Sequence, residues 1–422
     1  LGRSVFSRLR LSAWAAGQPY SGGFAPLPVK AHFGDPGIEA ARVTCGDLTG
    51  DGVPEAIVRL PDRSHVYRND GRGVYRFLRH FAATDSPVVA DVDGDGDGDL
   101  FLPMDTSSRS MLYLNDGKGN FTDCSATHLP YTGSYRSQRA LAGDIDGDGD
   151  LDLVTVGRSS SHNGCILVND GTGKFTDQAS TRLPAGNWGD CALFLDVEGD
   201  GDLDLFHVKR TTTTLHLNDG TGRFTQATGR LPATTSLYSH AAAAGDVDGD
   251  GDIDLYLACE TIYGRGQNLL WINDGKGGFR DRTAASLPQV KDWTLQVSLA
   301  DLDGDGDADL AIRDYNQGIL VQLNDGKGGF TGTGGPPPFG KRQGHGDLAA
   351  ADLDGDGDVD LFATFTGMAP AIHLNRGDAT FTDACRERVP PCPVDYPNSC
   401  DAGDLDGDGM VDLVLGLNKL QN

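Results

Sequence analysis

The sequence predicts an all-β fold: a β-propeller of eight four-stranded blades closed by its N- and C-terminal strands, with seven blades as the alternative. Three observations carry this. An acidic nine-residue motif begins at Asp47, Asp91, Asp144, Asp196, Asp246, Asp301, Asp352 and Asp404, at steps of 44 to 55 residues. A second motif alternates with it: "NDGRGVY" at 69, "NDGKGNF" at 115, "NDGTGKF" at 169, "NDGTGRF" at 218, "NDGKGGF" at 273 and 324, and a degenerate "NRGDATF" at 375. Between them no window shows a 3.6-residue period. Several short strands per unit, repeating near 50 residues, are the signature of blades around a ring.

One unit reads in order. "RALAGDI", from Arg139, alternates small or apolar residues with polar ones and is a first strand. The acidic loop follows. "LDLVTVG", from Leu151, is apolar and β-branched and is a second strand. A polar segment leads to "CILVND", the third. The Asn-Asp-Gly turn is a hairpin signal, because Asn and Gly tolerate positive φ. "KFTDQAS" is the fourth, and a following pair such as Leu183-Pro184, Leu231-Pro232 or Leu287-Pro288 ends the unit.

Eight units of about 51 residues need about 408 of the 422 residues. After Asp412, "LVLGLN" supplies a second strand and the chain stops. Near the start, "FSRLRLSAW" and "GGFAPLP" read as a third and fourth. The last blade is therefore expected to combine both termini within one domain, 1–422, removing the open edge of the sheet ring.

The net charge of -26 excludes nucleic acid as a partner, since phosphates would be repelled. No stretch approaches 18 uninterrupted apolar residues, so no membrane-spanning helix is expected. The opening "LGRSVFSRLRLSAWAAG" is too mixed for an intact secretion signal and reads as the start of a processed chain. The acid is concentrated. The motifs hold 37 of the 61 acidic residues: three in the first, five in each of the next six and four in the eighth.

Such clusters repel themselves unless a cation sits among them. Positions 1, 3, 5, 7 and 9 are Asp47, Thr49, Asp51, Val53 and Glu55 in the first copy, and Asp91, Asp93, Asp95, Asp97 and Asp99 in the second. They are Asp144, Asp146, Asp148, Asp150 and Asp152 in the third, and Asp196, Glu198, Asp200, Asp202 and Asp204 in the fourth. The fifth has Asp246, Asp248, Asp250, Asp252 and Asp254; the sixth has Asp301, Asp303, Asp305, Asp307 and Asp309. The seventh has Asp352, Asp354, Asp356, Asp358 and Asp360; the eighth has Asp404, Asp406, Asp408, Met410 and Asp412.

Side chains at 1, 3, 5 and 9, with the carbonyl of 7, suit Ca²⁺, which takes six to eight oxygens. The glycines at 4 and 6 let the chain wrap around one point. A transition metal would want His or Cys, and Mg²⁺ fewer carboxylates. An EF-hand needs a Glu at position 12 and flanking helices; position 12 here is Leu102, Thr155 or Leu257, between strands. Up to eight Ca²⁺ are expected, and eight would bring the charge to -10. The first site, with fewest acids, should be weakest.

"DIDGDGDLDLVTV" with "NDGTGKFTD" resembles the FG-GAP or VCBS repeat family, which includes the calcium-binding propeller of integrin α chains and mushroom propeller lectins. The resemblance spans nearly the whole chain and implies the fold and the metal. The family's better-known members have seven blades of nearer sixty residues.

Of eight cysteines, none forms a CxxC. The even count in a calcium-loaded chain suggests a secreted, extracellular or periplasmic place. Cys385, Cys392 and Cys400 surround one Pro-rich connection, where a disulfide is expected; Cys259 reads equally as a buried thiol. No G-x-S-x-G, H-E-x-x-H or P-loop is present, so no catalytic residue is assigned. His216 and His373 share a repeat position with Tyr67, Tyr113, Trp271 and Gln322, which reads as packing.

Trp188, Tyr238, Trp293 and Tyr396 each lie eight residues before an acidic motif, on the face expected to be opposite the calcium. Either they stack on sugar rings or anchor a protein, or they plug the seams between blades. The expected function is glycan binding or adhesion by a calcium-stabilised module with no catalysis. The alternatives are a structural protein that docks other proteins and, third, an enzyme with its site in the central channel.

Overall fold

The computed structural model describes residues 10–11, 31–32, 42–59, 63–70, 75–82, 84, 87–104, 109–130, 139–156, 164–183, 191–208, 213–233, 238–260, 266–289, 293–332, 344–365, 368–384, 396–403 and 411–418. Seven four-stranded antiparallel sheets follow one another along the chain, each joined in sequence order from first to fourth strand. Blade 3 is representative. Its strands are Arg139–Gly143, Asp152–Val156, Cys165–Val168 and Thr176–Asp177.

These seven are the number of the alternative reading. The eighth position in the ring holds a two-stranded sheet, Tyr396–Gly403 with Asp412–Asn418, where the eight-blade reading expects four strands. It is wedged between blade 7 (Leu348–Ala351, Asp360–Phe365, Met368–Leu374 and Thr382–Asp383) and the first strand of blade 1, Arg42–Gly46. Arg10–Leu11 lies against Asp412–Asn418 and pairs with Ala31–His32 in a second two-stranded sheet. These N-terminal strands have two residues each, too little ladder to complete a blade by themselves. "GGFAPLP" falls outside the described residues.

The core lies between blades. In the second strand of blade 3, Leu153 faces back to Val92 and Phe101 of blade 2, while Val154 and Val156 face forward to Leu205 and Phe224 of blade 4. Both faces are buried, which explains why the strand reads as a continuous apolar run. Each seam also takes the aromatic that ends the next blade's turn: Phe121, Phe175, Phe224, Phe279 and Phe330 are all buried.

The fourth strands are shorter than the sequence predicts. Each has two residues in blades 2 to 7, and in blades 2, 3 and 5 one helical turn follows: Ser125–His128, Ala179–Arg182 and Thr283–Ser286. Four residues are too few to show a 3.6 period. Each turn stops at a leucine in extended conformation, Leu129, Leu183 or Leu287, because the next residue is Pro and disfavours helix before it.

Candidate metal centres

Strand register pairs the residues that flank or end all eight acidic motifs alike. The residue before the motif pairs with position 9: Gly46 with Glu55, Ala90 with Asp99, Gly143 with Asp152, Leu195 with Asp204, Gly245 with Asp254, Ala300 with Asp309, Ala351 with Asp360 and Gly403 with Asp412. Between these anchors the loop is wound by its own first acid. Asp91 Oδ1 accepts the Gly94 N–H at 2.8 Å, and Oδ2 the Gly96 N–H at 3.0 Å. Asp47, Asp144, Asp196, Asp246, Asp301 and Asp352 repeat the pattern. Gly94 and Gly96 have φ of 74° and 92°, which side chains with a Cβ rarely adopt.

Position 9 is buried and doubly hydrogen-bonded. Asp99 accepts the Val92 N–H at 2.9 Å and the Asn115 N–H at 2.8 Å. Asp152, Asp204, Asp254, Asp309 and Asp360 do the same in their blades. Burial pushes Asp99 and Asp360 up to about 7 and Asp152, Asp204, Asp254 and Asp309 to about 6, against the pull of these donors. Glu55 fills the position in blade 1, where burial raises it to about 7.

Position 3 carries the feature that points to an ion. Asp93, Asp146, Asp248 and Asp303 each bury an Oδ1 that has no hydrogen-bond partner in the protein. A buried carboxylate oxygen without a donor is costly unless a cation meets it. Three carboxylates bring oxygens within 4.8 Å of one another in five loops: Asp91, Asp93 and Asp99; Asp144, Asp146 and Asp152; Asp246, Asp248 and Asp250; Asp301, Asp303 and Asp309; Asp352, Asp354 and Asp356. This all-oxygen set fits a hard divalent cation. Among the described residues the first and fourth loops form no such group. Asp404, Asp406, Asp408 and Met410 lie outside the described residues; Asp412 is buried.

The position 7 side chain lies over the hairpin turn of its own blade. A Cβ on Gly117 would sit 2.8 Å from Asp97 Oδ2, and Gly171, Gly220, Gly275, Gly326 and Gly377 meet Asp150, Asp202, Asp252, Asp307 and Asp358 in the same way. The turn glycines, with φ near 65–77°, therefore serve both conformation and close approach.

The Asn of these turns acts otherwise than the sequence suggests. The glycines take positive φ and the Asn does not. Its side chain instead binds across the seam. Asn169 Nδ2 donates to Val92 O of blade 2 at 2.7 Å and to Leu151 O of its own blade at 3.1 Å. Asn218, Asn273, Asn324 and Asn375 bind Ile145 O, Val197 O, Val247 O and Leu302 O at 2.7–2.9 Å, and Asn115 binds Leu48 O. Each acceptor is position 2 of the preceding blade's acidic loop. Sequence reasoning also missed two arginines. Arg182 pairs with Asp146 at 2.9 Å and Arg230 with Glu198 at 2.8 Å. The signal was present as Arg-Leu-Pro at 182 and 230.

At the far end of the first strands lie the aromatics. Tyr238 and Tyr396 start the strands Tyr238–Gly245 and Tyr396–Gly403, a strand's length from the acidic loops. Trp188 is outside the described residues. Trp293 is half-buried and stacks on Tyr315 of the same blade, centroids 4.2 Å apart, and Tyr315 meets His345 of blade 7 edge-on at 5.2 Å. The Trp293 N–H donates to Asp314 Oδ2 at 2.6 Å, fixing the ladder's base.

Tyr67, Tyr113, His216, Trp271, Gln322 and His373 are buried, as a packing position requires. Cys124 and Cys259 are buried free thiols, and burial pushes Cys259 up to about 12. Cys385 and Cys392 lie outside the described residues. No described helix is long and apolar enough to cross a membrane.

The FG-GAP-like repeat matches seven overlapping stretches, 47–102, 91–155, 144–207, 196–257, 246–312, 301–363 and 352–415. The chain belongs to this family. As an FG-GAP-like protein it is similar to cartilage acidic protein 1 of Xenopus tropicalis, 23% identical over 78% of this chain and 56% of that protein. It is also similar to a T-cell immunomodulatory protein homolog of Plasmodium yoelii yoelii, 25% identical over 34% of this chain and 24% of that one. The chain thus spans little more than half, or a quarter, of these curated relatives. Among solved structures, an Agrocybe aegerita lectin described as recognising non-reducing terminal N-acetylglucosamine covers 90% of this chain and 96% of its own, with 18% identity and a TM-score of 0.47. The Vibrio cholerae biofilm matrix protein Bap1 covers 98% of this chain and 71% of its own, with 15% identity and a TM-score of 0.36.

Proposed function

We propose that this FG-GAP-like propeller is an extracellular, calcium-stabilised binding module that recognises glycans through the face opposite its acidic loops and performs no catalysis. The observation that carries the ligand class is the Trp293–Tyr315–His345 ladder at the seam of blades 6 and 7. A half-buried indole held by a partner ring offers apolar area to the C–H face of a sugar, and the exposed His345 beside the ladder can meet hydroxyls. Trp188, Tyr238 and Tyr396 would offer similar stations at their own seams, making weak sites additive on a polyvalent glycan. Calcium holds the loops at the other end.

Binding to a glycan array tests the reading. Wild-type protein should bind a defined subset of glycans, and Trp293→Ala with Tyr315→Ala should lower binding at least tenfold while leaving the circular dichroism spectrum unchanged. Absence of glycan binding by the folded wild type would overturn it.

A further inference from the structure

Among the described residues, blades 3 and 4 hold a guanidinium against the acidic loop. In blade 3, Arg182 spans three groups. Its Nε donates to Gln178 Oε1 at 2.7 Å, one Nη to Asp146 Oδ2 at 2.9 Å and the other to Thr221 O of the next blade's turn. In blade 4, Arg230 donates to Glu198 Oε1 at 2.8 Å and to Lys276 O of blade 5. Both clips tie position 3 to a carbonyl of the next blade's turn, and the acid they hold differs by one methylene.

That methylene decides where the carboxylate goes. Position 3 sits beneath the next blade's turn: Asp146 Cβ lies under Gly222, and Glu198 Cγ under Gly277. With Asp, the short side chain gives one oxygen to Arg182 and leaves Oδ1 buried, unpartnered and clustered with Asp144 and Asp152. With Glu, the carboxylate is carried one bond further toward the arginine. Glu198 has no buried oxygen without a partner, and among the described residues loop 4 gathers no three-carboxylate group.

We propose that in blade 4 the guanidinium of Arg230, paired with Glu198, takes the place of the divalent cation, so that this loop closes without calcium while blade 3, with Arg182 and Asp146, retains its ion. A fixed cation neutralises one carboxylate and bridges to Lys276 O, joining blade 4 to blade 5 as a metal-ordered loop would. This inference rests on reading the other loops as calcium sites.

The test counts calcium bound to the full-length chain by equilibrium dialysis against ⁴⁵CaCl₂, alongside native mass spectrometry. Glu198→Asp reproduces the blade 3 arrangement and should bind one more Ca²⁺ per chain than the wild type. Arg230→Ala, which frees Glu198 to turn inward, is a second variant should the first fail to fold, and should gain one ion as well. A gain in either folded variant supports the proposal. Equal non-zero counts in the wild type and the folded variants overturn it and leave the calcium reading standing. Zero calcium in every form overturns both.

Discussion

At the scale of single residues, the turn Asn is the side chain on which most depends. Asn218 satisfies Ile145 O, Leu203 O and its neighbour's N–H, and its own N–H is accepted by Asp204. Asn218→Ala leaves two carbonyls in a dry seam without a donor. Chemical denaturation should show a loss of about 2–4 kcal/mol, whereas Thr221→Ala on the exposed lip of the same turn should stay within about 1 kcal/mol. The seventh turn offers the opposite case. Ala379, with φ of 55°, stands where the other turns use Gly, as at Gly173 and Gly222. A left-handed alanine carries about 1 kcal/mol of strain, so Ala379→Gly should raise stability by up to about 1 kcal/mol. An unchanged or lower midpoint would show that contacts of the methyl group outweigh the strain.

At the scale of the element, the acidic loop is a carboxylate cage held together by backbone donors. In calcium-free protein the buried position 9 acids titrate near 6–7, against an ordinary value near 3.8. The folded state therefore binds more protons than the unfolded state between about pH 4 and 7. Stability of the metal-free form should fall as pH rises through that window. With saturating calcium, which requires the ionised acids, the trend should reverse. Melting temperatures of dialysed and calcium-loaded samples at pH 4.5 and 7.5 check both signs. The loops and second strands were legible in the sequence because each recurs eight times, the loop as acids at alternate positions and the strand as an unbroken apolar run. The helical turns at Ser125–His128, Ala179–Arg182 and Thr283–Ser286 were not, because one turn shows no periodicity. The clips at Arg182 and Arg230 were missed because their partners are distant in sequence.

At the scale of the whole molecule, the described residues form seven four-stranded blades and a two-stranded sheet at the eighth position of the ring. Binding of ions to the native state alone adds stability by mass action; an ion at tenfold its dissociation constant contributes about 1.4 kcal/mol. Five such loops would together add on the order of 7 kcal/mol, so excess EGTA should lower the melting temperature by about 8 °C. A shift of under two degrees would mean that the seams, not the ions, hold the ring. Those seams also have a direction. In blades 2 to 7 the turn Asn reaches back to the loop of the blade before it. Faults are thus passed upstream along the chain. A substitution in the turn of blade 6 would loosen the acidic loop of blade 5, and a map of damage drawn by assigning each mutation to its own blade would be out of step by one blade around the circle.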